Sequence, residues 1–331
     1  MNASRQSLIV SVLLCALLAA LFVARWRLAP YALEAPCEGG MPLAAALTRF
    51  TVAHGWWAAA CAAVVVGWTL LLVVQLSVKY APASSRNYLP PQIFLVVAGG
   101  VAIAGEALAA LLAAWFLVLS VRQFVFSFHK GYSFTELFHA GFWLGLVPLL
   151  YAPAAVWVVP VAVSALIVFR RLFREGVVCL AGVALPLPAA GFVHWAMGGE
   201  AGYIWQEVWR CTVEQPDVAF SLPFTTIAVA LPVAALVASA LVRAAGMRNN
   251  IRKTPWKFVA FTALVLLWMA GSAALPGTST TLAALWGVPC SVILPYAFAG
   301  HGAGASTAIY SLILAAVLAL HLLPVLGIPV P

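Results

Sequence analysis

Between Leu137 and Arg174 the chain permits very few folds. Two apolar segments, about 137–151 and 153–169, meet at Tyr151-Ala152-Pro153 with no charge between them, and Arg170, Arg171 and Arg174 close the pair. In water so much unbroken apolar surface would aggregate. In a bilayer it forms a helical hairpin, because a helix satisfies its own backbone and roughly 20 apolar residues cross the hydrocarbon. The arginines stay in the cytoplasm, since Lys and Arg resist translocation. Charged residues are 8% of the chain and apolar ones 65%, whereas soluble domains carry roughly 25% charged residues. A soluble globular protein is excluded. The net charge of +8 comes from basic residues scattered at the ends of apolar runs. That is a topology signal and not a contiguous basic footprint, so no nucleic-acid partner is expected.

The same patterning predicts an all-α, polytopic transmembrane bundle within a single integral membrane domain, 1–331. About eleven membrane helices are expected, near 8–25, 57–78, 92–104, 107–126, 137–151, 153–169, 176–194, 222–242, 256–275, 281–298 and 305–323. The first ends in Arg25-Trp26-Arg27 where a signal peptide would carry small residues, so it reads as an uncleaved helix. Pro42 to Trp57 reads as a short amphipathic helix at the interface, within the first external loop (about 26–55), with Trp56 and Trp57 as anchors. Two helices separate Arg170–Arg174 from the basic loop Arg243–Lys257, so both share the cytoplasmic side. Counting back places the N-terminus and Lys79/Arg86 there as well. The loops 26–55 and 195–221 then lie outside, as does Glu106. Of the nine acidic residues, Glu34, Glu38, Glu106, Glu200, Glu207, Glu214 and Asp217 gather on the outer side, and only Glu136 and Glu175 face inward. Acidic residues contribute little to orientation, so their clustering is not a by-product of topology.

That face holds the candidate chemistry. Glu106 sits at a turn between two apolar runs, where an ionisable group marks a functional position; equally, it could cap the helix that follows. Glu34 and Glu38 could act as a general base or, with Glu106, hold a divalent cation; loop carboxylates are also commonly just solvated. Arg210 could grip a phosphate with its guanidinium fork, or pair with Glu207 or Glu214 at helical spacing. His194 could serve as an acid/base or a phosphate ligand, or simply suit a helix end. Cys37 and Cys211 are the two cysteines in external loops, where a disulfide could form and persist.

The run from Lys79 to Pro188, including SVKYAPASSRNYLPPQIFLVVAGGVAIAGEALAALLAAWFLVLSVRQFVFSF, resembles a family of uncharacterised bacterial polytopic inner-membrane proteins. More loosely, three features resemble the membrane module of C-type glycosyltransferases over about 1–190: a short third helix, an acidic residue at the outer turn after it, and the segment AGFWLGLVPLLYAPAAVWVVP. The helices at about 222–323 follow that module. The resemblance implies a multi-pass protein of the bacterial cytoplasmic membrane, acting in the cell envelope. It implies a donor linked to a polyprenyl phosphate carrier, with Glu34 or Glu38 as the first-loop carboxylate and Glu106 as the second. The chain departs from the module in lacking a paired Asp-Glu in the first loop and any large soluble domain. A non-catalytic scaffold or accessory protein of envelope assembly is the other expectation. A transporter is a third, disfavoured by the near absence of charge within the apolar segments.

Overall fold

A computed structural model describes residues 41–80, 89–99, 107–129, 133–169, 173–214, 237–238, 242, 253–272, 275, 277 and 281–298. Among the described residues every regular element is a helix. In chain order these are α1 (Pro42–Ala53), α2 (Gly55–Tyr80), α3 (Leu89–Gly99), α4 (Ala107–His129), α5 (Phe134–Leu150), α6 (Ala154–Phe169), α7 (Phe173–Ala184), α8 (Pro186–Ala196), α9 (Tyr203–Val213), α10 (Lys253–Ser272) and α11 (Thr281–Phe298). Three spans are long and apolar enough to cross a membrane: Gly55–Leu76, Leu108–Ser127 and Phe173–Ala196. The last has 24 residues, about 36 Å at 1.5 Å per residue against a hydrocarbon core of ~30 Å. These spans mark a membrane protein.

The hairpin expected around Tyr151 is present, with α5 and α6 joined by a turn at residues 151–153. Its helices have 17 and 16 residues, shorter than the three long spans. Both pack against neighbouring helices along one side. α5 packs against α4 and α7, and α6 against α10, so their length need not match the lipid alone. Pro148 and Pro160 lie inside them, which neighbouring helices make tolerable.

Close approach of backbones holds α5 to α7. A Cβ on Gly141 would collide with the Cys179 carbonyl, one on Gly145 with the Val183 carbonyl, and one on Gly182 with the Phe138 carbonyl. Glycines at i and i+4 remove the side chains that would keep two helices apart, and dispersion then acts over the full contact. Elsewhere the core interlocks through aromatic rings. Phe261 of α10 meets Phe124 of α4 and Phe169 of α6, each with centroids 5.5 Å apart. Polar atoms are tied across helices as well: Ser120 Oγ donates to the Ala140 carbonyl at 2.8 Å, and Trp268 Nε1 donates to Ser164 Oγ at 3.0 Å.

Two features differ from the expectation. The helix expected at 176–194 is longer and jointed. Pro186 opens α8 after a bend at Leu185, because proline offers no N–H and the Gly182 carbonyl loses its rung. The Leu185 N–H to Ala181 and Ala189 N–H to Leu185 bonds, both 3.1 Å, keep the halves joined. The stretch expected as a polar loop, 195–221, contains α9. The expected helices at 8–25, 222–242 and 305–323 lie wholly or largely outside the described residues, as do Glu34, Cys37, Glu38 and Glu106.

Candidate functional site

At the end of the bundle carrying the α5–α6 turn, a second, smaller core forms. Met41, just before α1, packs with Leu149 and Ala152 of the turn, Leu187 of α8, and Ile204 and Cys211 of α9; Ala44, Tyr203 and Val208 border it. The α10–α11 connection joins the same end, where the Gly277 N–H donates to the Thr212 carbonyl at 3.3 Å. The first expected external loop and the one after α8 are therefore neighbours in space through α1 and α9.

A tight turn returns the chain from α8 to α9. Gly198 adopts φ +92°, a left-handed conformation that glycine takes without steric cost. Gly199 donates to the His194 carbonyl at 3.1 Å, and a Cβ there would run into the His194 ring. With that ring seated over Gly199, it stacks on Tyr203 at 4.4 Å between centroids and 20° between planes.

α9 inverts the usual amphipathic arrangement. Its buried positions are Ile204, Glu207, Cys211 and Thr212, spaced as one helical face. Trp205 and Trp209 are 56% and 59% exposed on the other. Glu207 is almost fully buried, so its charge requires a partner. Arg210, one turn on, donates to Glu207 Oε1 at 2.7 Å, and the Cys211 thiol donates to the same oxygen at 3.3 Å. Arg210 keeps 41% of its side chain exposed. Burial pushes the Tyr203 phenol above its ordinary range; Glu207 adds to the shift, while Arg210 and Arg49 of α1 pull against it.

Of the residues expected from sequence, the structure brings His194, Arg210 and Cys211 into this cluster. The Arg210–Glu207 pairing at i, i+3 is realised. Glu34, Glu38 and Glu106, and the Cys37 partner of the expected disulfide, are outside the described residues. Among the described residues no three His, Cys, Asp or Glu lie together as a metal site. Tyr203 and Arg49 were not singled out as site residues from the sequence. The available signal was the combination of Arg49 in an otherwise apolar interfacial helix with tryptophans on both loops.

No family model matches this chain, and neither a curated protein nor a solved structure matches it.

Proposed function

We propose that the chain is a multi-pass protein of the bacterial inner membrane, with basic loops in the cytoplasm and the α1–α9 end at the outer surface. There it acts as a C-type glycosyltransferase-like enzyme on a polyprenyl-phosphate-linked donor. One observation carries this reading: Met41 and Ala44 of the first loop share a small core at the α5–α6 turn with Tyr203, Ile204 and Cys211 of the loop after α8, the two loops richest in carboxylates, and beside it His194 stacks on Tyr203 and Arg210 pairs with Glu207. Exposed tryptophans border it, as expected at the membrane–water interface. In this reading Arg210 and Tyr203 bind and orient the phosphate of the donor, and Glu34 or Glu38 with Glu106 moves the proton of the acceptor hydroxyl.

Single replacement of Glu34, Glu38 and Glu106 by Gln tests it. Surface glycan should disappear in at least one variant while the membrane level of the protein is unchanged. Normal glycan in all three overturns the enzyme.

The second reading is a non-catalytic scaffold, and one feature favours it. Glu207 already has Arg210 and Cys211 as partners, so the best-defined polar group of the cluster is used internally. A deletion strain whose lipid-linked intermediates keep their normal composition, while a partner enzyme is lost from the membrane, would select the scaffold.

A further inference from the structure

Most of α4 within the span Leu108–Ser127 is enclosed by α2, α5 and α11. Six residues of that span are only half-buried: Leu112, Trp115, Phe116, Arg122, Gln123 and Phe126. All its others are buried. Spacings of three, four and seven put the six on one face, a narrow part-open stripe along the helix. One end of the stripe is aromatic. Trp143 of α5 borders it there, its ring centroid 5.5 Å from Phe116 and 6.3 Å from Trp115. The other end carries a guanidinium and a carboxamide. Neither Arg122 nor Gln123 has a hydrogen-bond or ion-pair partner among the described residues. Arg122 stands five residues before Ser127, about 7.5 Å along the axis, so a charge with no protein partner lies inside a membrane span. Such a charge takes a counter-ion or reaches toward the headgroups. The Ser120 bond to the Ala140 carbonyl and the Trp115–Trp143 contact set α4 and α5 antiparallel. Glu136, one turn from Ala140, is therefore near the level of Arg122, but it interacts with another group. His139, the other titratable group of α5 at that level, is exposed. An aromatic trough that ends in a cation and an amide suits a hydrocarbon chain with an anionic head.

We propose that the α4 stripe binds one anionic phospholipid, with an acyl chain along Leu112, Trp115 and Phe116 and the phosphate on Arg122 and Gln123. The guanidinium fork donates to two phosphate oxygens, and the Gln123 amide donates to a third. The apolar stem of Arg122 lets the fork extend toward the Ser127 end, where the hydrocarbon gives way to headgroups. That end is cytoplasmic in the topology proposed above, so the lipid belongs to the inner leaflet. The site lies at the end of the bundle opposite the α5–α6 turn and does not require catalysis.

The test is photolabelling of the full-length protein in nanodiscs, using phosphatidylglycerol or phosphatidylcholine with a diazirine on the acyl chain, followed by peptide mapping. Peptides carrying Trp115, Phe116 and Trp143 should take about tenfold more label from the anionic lipid, the effect of one charge-assisted contact. Arg122→Ala should abolish that difference, and Gln123→Ala should reduce it. Arg122→Lys should keep part, as a point charge without the fork. Arg174→Ala, which removes an exposed arginine of α7 outside the stripe, should keep the wild-type ratio. Equal labelling by the two lipids in wild-type protein overturns the proposal, and so does an undiminished difference in Arg122→Ala. Loss of the phosphatidylglycerol label in millimolar inorganic phosphate also overturns it, since the ligand is then a free anion. If Arg122→Ala gives no monodisperse protein, Arg122→Lys and Gln123→Ala carry the test, and an undiminished difference in both overturns it. Glycan analysis separates this site from the enzyme reading. Lost lipid preference in Arg122→Ala with normal glycans in all three glutamate variants keeps the lipid site and removes the enzyme. Lost glycan in a glutamate variant with an undiminished difference in Arg122→Ala does the reverse.

Discussion

The α5–α7 crossing and the α1–α9 cap solve opposite problems with the same kind of element. At the crossing, glycines let backbone meet backbone, and the contact is apolar and tight. At the cap, a short helix turns a carboxylate inward and tryptophans outward; an ion pair and a thiol satisfy that carboxylate within α9, and a stacked ring ties α9 to α8. Lipid tails are as apolar as leucine, so helices inside a membrane gain little from hiding hydrophobic surface; they gain from fit. At the surface, water and headgroups compete for polar groups, so only pairs shielded on one side persist. The crossing should therefore be sensitive to volume and indifferent to charge, and the cap the reverse.

The sharpest way to break that contrast is at Gly145. Gly145→Leu should cost more than about 3 kcal/mol, because the obstructing atoms are backbone and cannot rotate away. Size-exclusion chromatography of detergent extracts should show loss of the monodisperse peak; a normal peak would mean the crossing is looser than described. Next is Glu207→Ala, which removes the acceptor of both Arg210 and Cys211. We expect about 2 kcal/mol, read as a lower midpoint in thermal unfolding, with water at the exposed side of Arg210 limiting the loss. Glu207→Gln should fall between the two.

Ser120→Ala probes the neighbouring α4–α5 contact with a polar change. It deletes the bond to the Ala140 carbonyl, and about 0.6 kcal/mol is expected for a bond between membrane helices. The smallest effect at neutral pH is the titration of Tyr203. Its pKa is raised in the folded protein, so the folded state keeps the proton where the unfolded chain has begun to lose it. The associated stability is complete below about pH 10, the ordinary phenol value, and fades as pH rises through the folded pKa. A tyrosinate absorbance titration should show one late phase that Tyr203→Phe removes.

Much of the helical layout is legible in the sequence because hydropathy reports it directly. The expected helix at 107–126 corresponds to α4 at Ala107–His129, and the interfacial helix at Pro42–Trp57 to α1 at Pro42–Ala53. α9 is not legible by the same rule. Its apolar rings face outward and its acid inward, so Trp205, Glu207 and Trp209 read as a polar loop with anchors. Gly141 and Gly145 announce a close contact by their spacing, but nothing local names Gly182 as the partner; only the fold does. At the site, the i, i+3 spacing of Glu207 and Arg210 foretells their pair. The shared core of Met41 and Ala44 with Tyr203, Ile204 and Cys211 is a long-range arrangement that no local pattern encodes.

The missing rung at Pro186 has a mechanical side. A rod with a gap at mid-length flexes there at lower cost than anywhere else along it, because one fewer hydrogen bond must stretch. Everything beyond that gap, from Leu187 through the His194–Tyr203 stack, is stapled into one piece by the glycine turn. Below it, Gly182 is clamped to α5. The joint thus separates a half clamped on α5 from a half carried with α9, which Leu187 seats on the α5–α6 turn.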